Sequence, residues 1–351
     1  MMRRLLFIVL AAALLWSGYW WVGQSAQKAA IDGWLEAQRQ RGRVAEAGAV
    51  RVRGFPNRFD TTLTEVTLVD PASGLSWTAP FFRIYALSYA PNHVIAAWPG
   101  SQTLSGPFGR LRIDSREMMA SVRFRASTAL ALAEARAELS GLRISADAGW
   151  TAGLADGQAA LRATPEAETG DGSGANAPNR YQLFLRASAL DLPEALRRRL
   201  DPEGDLPDTI GAARLRATVT LDRPLDRRLA DGAAPAVTAL EIDEAEVGWG
   251  PLRLAASGRL KADADGLAAG SIALEALEWR QQLRMARRSG LMPPPADAWA
   301  ERLLAASETT AQQSAETDLN MTLRFRGGRT WIGPIPVGPA PRLNAGAPPP
   351  A

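Results

Sequence analysis

From about residue 48 onward, apolar and polar positions alternate with a period of two. In "LRISADAGW", Leu142, Ile144, Ala146, Ala148 and Trp150 alternate with Arg143, Ser145, Asp147 and Gly149. "ARLRATVTLDRP" sets Leu215, Ala217, Val219 and Leu221 against Arg214, Arg216, Thr218 and Thr220. "PLRLAASGRLKAD" places Leu252, Leu254, Ala256, Gly258 and Leu260 on one parity, and "DLNMTLRFRGG" does so with Leu319, Met321, Leu323 and Phe325. One apolar and one charged face per strand predicts an antiparallel sheet buried on a single side; a parallel sheet would read as unbroken apolar runs. Further strands are expected at 61–70, 76–89, 110–125, 181–189, 237–249 and 270–277. In "RVRGFPNRFDTTLTEVTLVD" (51–70), Phe59, Thr61 and Leu63 begin one face, but Val66 and Leu68 continue on the other parity. A bulge or twist is therefore expected at Glu65.

Helical periodicity is confined to a few places. Arg3 and Arg4 precede an uncharged run from Leu5 to Val22. Its eighteen residues reach about 27 Å as a helix, close to a hydrocarbon core of roughly 30 Å. Trp16, Tyr19, Trp20 and Trp21 crowd its far end, where amphipathic rings favour the headgroup level. This predicts a transmembrane anchor over 5–22 with residues 1–4 in the cytoplasm. A cleaved signal peptide is the competing reading, with Gly23 and Ser25 as small residues before a cut. A membrane-proximal helix follows over 23–43, carrying Ala30, Ile31, Trp34 and Leu35 at helical spacing and ending at Gly42. Short helices are expected at 192–200, 276–290 and 295–315. In the last two, Leu277, Leu283, Met285, Trp299, Leu303 and Leu304 supply the apolar positions. The Gly-rich acidic stretch 164–179 reads as a flexible linker loop, and 341–351 as a disordered tail.

Composition narrows the chemistry. With 351 residues there is ample material for a hydrophobic core, and 31 Gly and 24 Pro indicate many turns. The net charge of +3 comes from 40 basic and 37 acidic residues interleaved along the chain, without the dense basic patch of a nucleic-acid binder. There is no cysteine, so thiolate metal sites, disulfides and cysteine nucleophiles are excluded. The single histidine, His93, has no acidic residue nearby in sequence and reads as structural rather than metal-ligating. Neither a G-x-S-x-G elbow nor a nucleophile–base pair is present. The acidic cluster "EIDEAEVGW" (Glu241, Asp243, Glu244, Glu246) reads as solvent-facing strand positions, although a glycosidase-like carboxylate pair stays open. Arg51, Arg53 and Arg58 flank Gly54-Phe55-Pro56, either as strand-edge charges or as a clamp for an anionic headgroup.

The stretch "RVRGFPNRFDTTLTEVTLVDPASGLSWTAPFFRIYALSYAPNHVIAAWPGSQ" resembles the hallmark region of bacterial envelope proteins grouped as domain of unknown function 2125. The ending "RTWIGPIPVGPAPRL" is similar to the same family, so the resemblance covers nearly the whole chain. "WGPLRLAASGRLKADADGLAAGSIALEALEW" resembles the strand-turn-strand unit of AsmA-like proteins. The resemblance implies an inner-membrane-anchored periplasmic β-groove protein and carries over no catalytic residues.

The expected fold is therefore mainly β. An N-terminal transmembrane helix is followed by a large curved antiparallel sheet, a groove or half-barrel of AsmA-like or lipid-binding-like form, with a few packing helices. The groove is divided into a part over 48–163 and a part over 180–340. The apolar face must be covered by another element or by ligand. The first expectation is a non-enzymatic, cofactor-free, metal-free protein of the bacterial inner membrane, single-pass, with its C-terminal domain in the periplasm. It would hold a phospholipid or other acyl-chain ligand on Leu142, Ile144, Leu215, Val219, Leu252, Leu254, Leu323 and Phe325, with Arg51, Arg53 and Arg58 at the rim. The alternative is a periplasmic scaffold or assembly factor for envelope proteins, with the same face closed as core. Nucleic acid is not an expected partner in either case.

Overall fold

In a computed structural model, the structure describes residues 2–164, 179–231, 234–288, 297–298, 300–301 and 318–343. The flexible loop expected within 164–179, most of the helix expected at 295–315, and the tail from 344 onward lie outside the described residues. Helix α1 (Met2–Gln40) is one uninterrupted helix of 39 residues, so the apolar segment and the membrane-proximal segment are a single element. It is long and apolar enough to cross a membrane by length and composition. Gly42, at φ +78°, ends it. The amides of Gly42 and Arg43 turn back to the carbonyls of Arg39 and Gln38, satisfying the last turn.

Among the described residues eighteen strands follow, paired antiparallel throughout their registers. The chain divides into two compact units, the first holding Met1–Ala126 and Ala135–Trp150, the second Ser127–Glu134 and Thr151–Ala351.

The first unit contains α1, β1 (Val44–Glu46), β2 (Ala49–Arg53), β3 (Arg58–Asp70), β4 (Leu75–Leu87), β5 (Ala90–Ala97), β6 (Ser101–Gly106), β7 (Gly109–Asp114), β8 (Glu117–Phe124) and most of β9 (Leu132–Ala146). Buried positions on β3 are Phe59, Thr61, Leu63 and then Val66, so the inward parity does change at Glu65. Glu65 has φ +50°, and the register with β4 passes from Thr64↔Phe81 to Val66↔Ala79, setting Glu65 across from Pro80, which has no amide to donate. The neighbouring edge breaks at the same place: β1 pairs with β3 beyond Glu65 and β2 pairs before it. The strand expected over 110–125 is interrupted at Ser115 and Arg116. Their amides bond to Gly100 and Ser140, leaving two short strands.

The second unit contains β10 (Thr151–Ala163), β11 (Asn179–Asp191), α2 (Glu194–Leu200), β12 (Thr209–Leu221), β13 (Val237–Trp249), β14 (Leu252–Ala262), β15 (Ala268–Leu277), α3 (Trp279–Arg288), β16 (Asp318–Arg326), β17 (Arg329–Ile332) and β18 (Ile335–Pro339). Consecutive strands pair in sequence order from β10 to β18. The helix expected from 276 begins later, because residues to Leu277 stay in β15 and Glu278, at φ +55°, makes the corner into α3. Two buried clusters close the apolar face toward its ends. One joins Leu206, Trp249 and Leu252, with Met285 of α3 packed on it. The other joins Leu260, Ala268, Ile272, Phe325 and Ala340.

Candidate functional site

In the first unit, the second half of α1 lies along β3 and supplies the cover that the apolar face requires. Trp20 stacks on Phe59 with ring centroids 6.0 Å apart. Farther along, Gln24 donates to the Val52 carbonyl (3.1 Å) and Gln27 to the Thr61 hydroxyl (3.3 Å). Thr61 is fully buried there. Toward the end of α1, Leu35 and Gln38 are still buried. A cleft of about 380 Å³ opens between Trp34 and Gln38 of the helix and strands β1, β3, β4 and β6. Its walls are mainly apolar: Val44, Leu68, Leu75, Trp77 and Leu104. The polar groups at its rim are engaged with one another. Arg43 donates to Gln38 Oε1 (2.8 Å) and lies 3.6 Å from Asp70, while Trp77 Nε1 donates to Gln102 Oε1 (2.7 Å). Size and lining match those of small-molecule pockets, which run from about 300 to 1,000 Å³ and pair apolar walls with a few placed polar groups.

Of the sequence-derived site residues, Leu142 and Ile144 belong to this unit. Ile144 stands opposite Ile113, one pleat repeat from the Leu111↔Ala146 and Leu104↔Leu111 pairs that continue into Trp77↔Leu104 and Leu68↔Trp77. They share the sheet face that carries the cleft. The lining residues Trp34, Leu68, Trp77 and Leu104 are not marked as site residues by the sequence. Trp34 belongs to α1, and the strands of the other three carry apolar and small residues on both parities, which hides the face they serve.

In the second unit, the register brings Leu215, Val219, Leu252, Leu254, Leu323 and Phe325 onto one face. Leu185, Leu215, Ala245, Ala256 and Leu274 form one row across β11 to β15. Ala187, Ala213, Val247, Leu254 and Ala276 form the next. These middle rows mix leucine with alanine, and Leu185, Val247 and Leu254 stay exposed. Leu252 and Phe325 differ, being buried in the two end clusters. A low, partly open centre thus lies between two closed ends.

The opposite face of that sheet answers the question raised by the acidic cluster. Glu244 pairs with Arg216 (2.7 Å) and Arg214 (3.6 Å), Glu241 with Arg259 (2.5 Å) and Arg180 (3.6 Å), and Glu246 with Arg253 (3.2 Å). Each of these three glutamates serves a cross-strand ion pair. Among the described residues no group of three His, Asp or Glu side chains is placed to hold a metal ion.

Arg51 and Arg53 project from the exposed face of β2, and Val52 between them is buried. Arg58 is held by Asp60 (2.7 Å) and lies over the Tyr85 ring at 5.8 Å. All three belong to the first unit, at the end of the sheet where α1 emerges from its apolar segment.

A family model described as "Uncharacterized protein conserved in bacteria (DUF2125)" matches residues 20–341. No curated protein and no solved structure matches the chain.

Proposed function

Because the chain belongs to the DUF2125 family of uncharacterized bacterial proteins, which brings no activity with it, we propose from the geometry that it is a non-enzymatic, membrane-anchored acyl-chain binder of the cell envelope. The observation that carries this reading is the apolar cleft of about 380 Å³ beside Trp34 and Trp77. Desolvation of one hydrocarbon chain against Leu68, Leu75, Trp77 and Leu104 supplies the driving force, at roughly 25 cal/mol per Å² of apolar surface removed from water. Arg43 at the mouth supplies a donor for a headgroup phosphate or carboxylate. The partly open rows around Leu215 and Leu254 offer a second apolar surface of the same kind. The anchor makes lipid the abundant apolar partner, and Arg3 and Arg4 hold the amino terminus in the cytoplasm, leaving the strands on the periplasmic side. The β14–β15 hairpin, whose turn is fixed by Asp263 accepting from the amides of Asp265 (3.0 Å) and Leu267 (2.8 Å), is the stretch whose sequence resembles AsmA-like proteins, and that resemblance supports the lipid-handling reading.

Mass spectrometry of lipids retained by the detergent-extracted chain tests this against the scaffold reading. Wild type is compared with Leu104→Arg in the cleft and Leu254→Arg on the second surface. Loss of bound lipid in Leu104→Arg alone supports the cleft, and loss in Leu254→Arg alone moves the site to the second unit. Wild type emerging free of lipid would replace the proposal with an assembly factor whose rims bind proteins.

A further inference from the structure

The amino-terminal helix and the folded sheet are joined by more than a peptide bond. Trp16 Nε1 donates to the Pro56 carbonyl (2.8 Å), Tyr19 OH to the Ser88 carbonyl (2.7 Å), and Trp20 Nε1 to the Arg58 carbonyl (2.8 Å). Trp20 also meets Phe55 edge-on at 5.4 Å. Two turns, β2–β3 around Phe55 and β4–β5 around Tyr89, are thereby fixed at the level of residues 16–20 of α1. Those residues lie inside the uncharged run Leu5–Val22.

Length decides what this means. The uncharged part of α1 below Trp16, Leu5–Leu15, reaches about 17 Å at 1.5 Å per residue, well short of a hydrocarbon core of roughly 30 Å. Extending the membrane segment through Val22 brings it to about 27 Å, close to that thickness. That extension carries the two clamped turns with it. Their side chains suit such a position. Phe55 is 57% exposed and Tyr89 65% exposed, beside Trp21 at 68% and Val22 at 62% on α1. Exposed aromatic rings gathered at one level beside a spanning helix form the belt found at a membrane–water interface. Arg53 and Arg58 stand at the same end with one carboxylate, Asp60, between them, leaving a positive balance toward anionic headgroups.

We propose that the Phe55 and Tyr89 turns insert into the lipid interface, so that the first unit is seated on the bilayer through its own β-turns as well as through the helix. The partner is the lipid surface itself. This holds whether or not the cleft binds an acyl chain.

The absence of cysteine from the sequence allows single-site labelling of the full chain without background. Bimane is attached at Phe55→Cys, Asn57→Cys, Tyr89→Cys and Phe108→Cys, and each variant is reconstituted into phosphatidylcholine–phosphatidylglycerol vesicles containing lipid spin-labelled near the headgroup. Asn57 is exposed in the same turn and leaves the Phe55–Trp20 contact intact. Phe108 sits beside Leu75, at the far end of β4 from Tyr89, about 40 Å away along a 13-residue strand. The expected result is loss of most bimane emission at 55, 57 and 89 with emission at 108 retained. Retained emission at 57 and 89, equal to that at 108, would overturn the proposal.

Discussion

Trp20 is bonded to one residue of β3 and stacked on the next: its indole N–H reaches the Arg58 carbonyl at 2.8 Å while its ring lies on Phe59. With Val52 they form a buried cluster of their own. Helix and sheet are locked where the sheet begins. Trp20→Ala should therefore cost about 3–5 kcal/mol, the usual loss for truncating a buried tryptophan. Trp21→Ala, one residue on but exposed, should stay within about 0.5 kcal/mol. Thermal melts of the two variants in the same detergent check the contrast.

Gly258 and Gly270 permit the close approach of β14 and β15. A Cβ on Gly258 would lie 2.3 Å from the Ser271 carbonyl oxygen, and one on Gly270 would lie 2.2 Å from that of Arg259. Both residues also have positive φ, +153° and +137°. The obstruction is backbone, which cannot step aside. Alanine at either position should destabilise the second unit by at least about 1–3 kcal/mol from strain alone. Gly248→Ala, with nothing within 4 Å of the new carbon, should be tolerated. Chemical denaturation midpoints separate the three.

The Asp226 carboxyl is held below the ordinary aspartate range, first by the hydrogen bond from the Arg228 guanidinium; burial pushes the other way, and the Arg228 amide adds to the lowering. A carboxyl with a depressed folded-state pKa contributes stability that is complete above its unfolded value of about 3.9 and fades as pH falls through the lower folded value. Asp226→Asn should melt below wild type at neutral pH. The gap should close in acid, as wild type loses the same charge. Melting temperatures of both proteins across a pH series test the sign.

The arginine–glutamate ladder on the second unit's polar face should matter little to stability. Arg216 and Glu244 remain 61% and 27% exposed, and exposed pairs contribute about 0–1 kcal/mol. Glu244→Gln should shift the melting temperature only slightly, and less still at high salt.

Much of the sheet is legible in the sequence because its strands present leucine against arginine. β12, β14 and β16 each display one clean parity, and the register sets those parities on a common face. The bend in β3 is legible for the same reason, since the shift from Leu63 to Val66 is an odd number of residues. β10 is not legible. Its inward positions are Gly157, Ala159, Leu161 and Ala163, and with Leu161 alone among small residues no face is marked by hydrophobicity. The cleft is hidden for a different reason: it lies between the end of α1 and strands β1, β3, β4 and β6, and no local pattern encodes the gap between separate elements. Leu252 and Phe325 share the parity of Leu254 and Leu323, yet Met285 and Ala340 pack into their clusters. Such closure is made by partners distant in sequence, beyond the reach of periodicity.

Helix α1 fixes a height as well as an attachment. Trp16 is bonded to the β2–β3 turn and Trp34 lines the cleft, eighteen residues later on one unbroken helix, a rise of about 27 Å. The mouth of the cleft is therefore carried at a set standoff from the turns that Trp16 holds, as on a gauge rod. Adding or removing a residue between the two would rotate one contact by about 100° against the other, so this stretch of chain tolerates substitution on its outer face far better than any change in length.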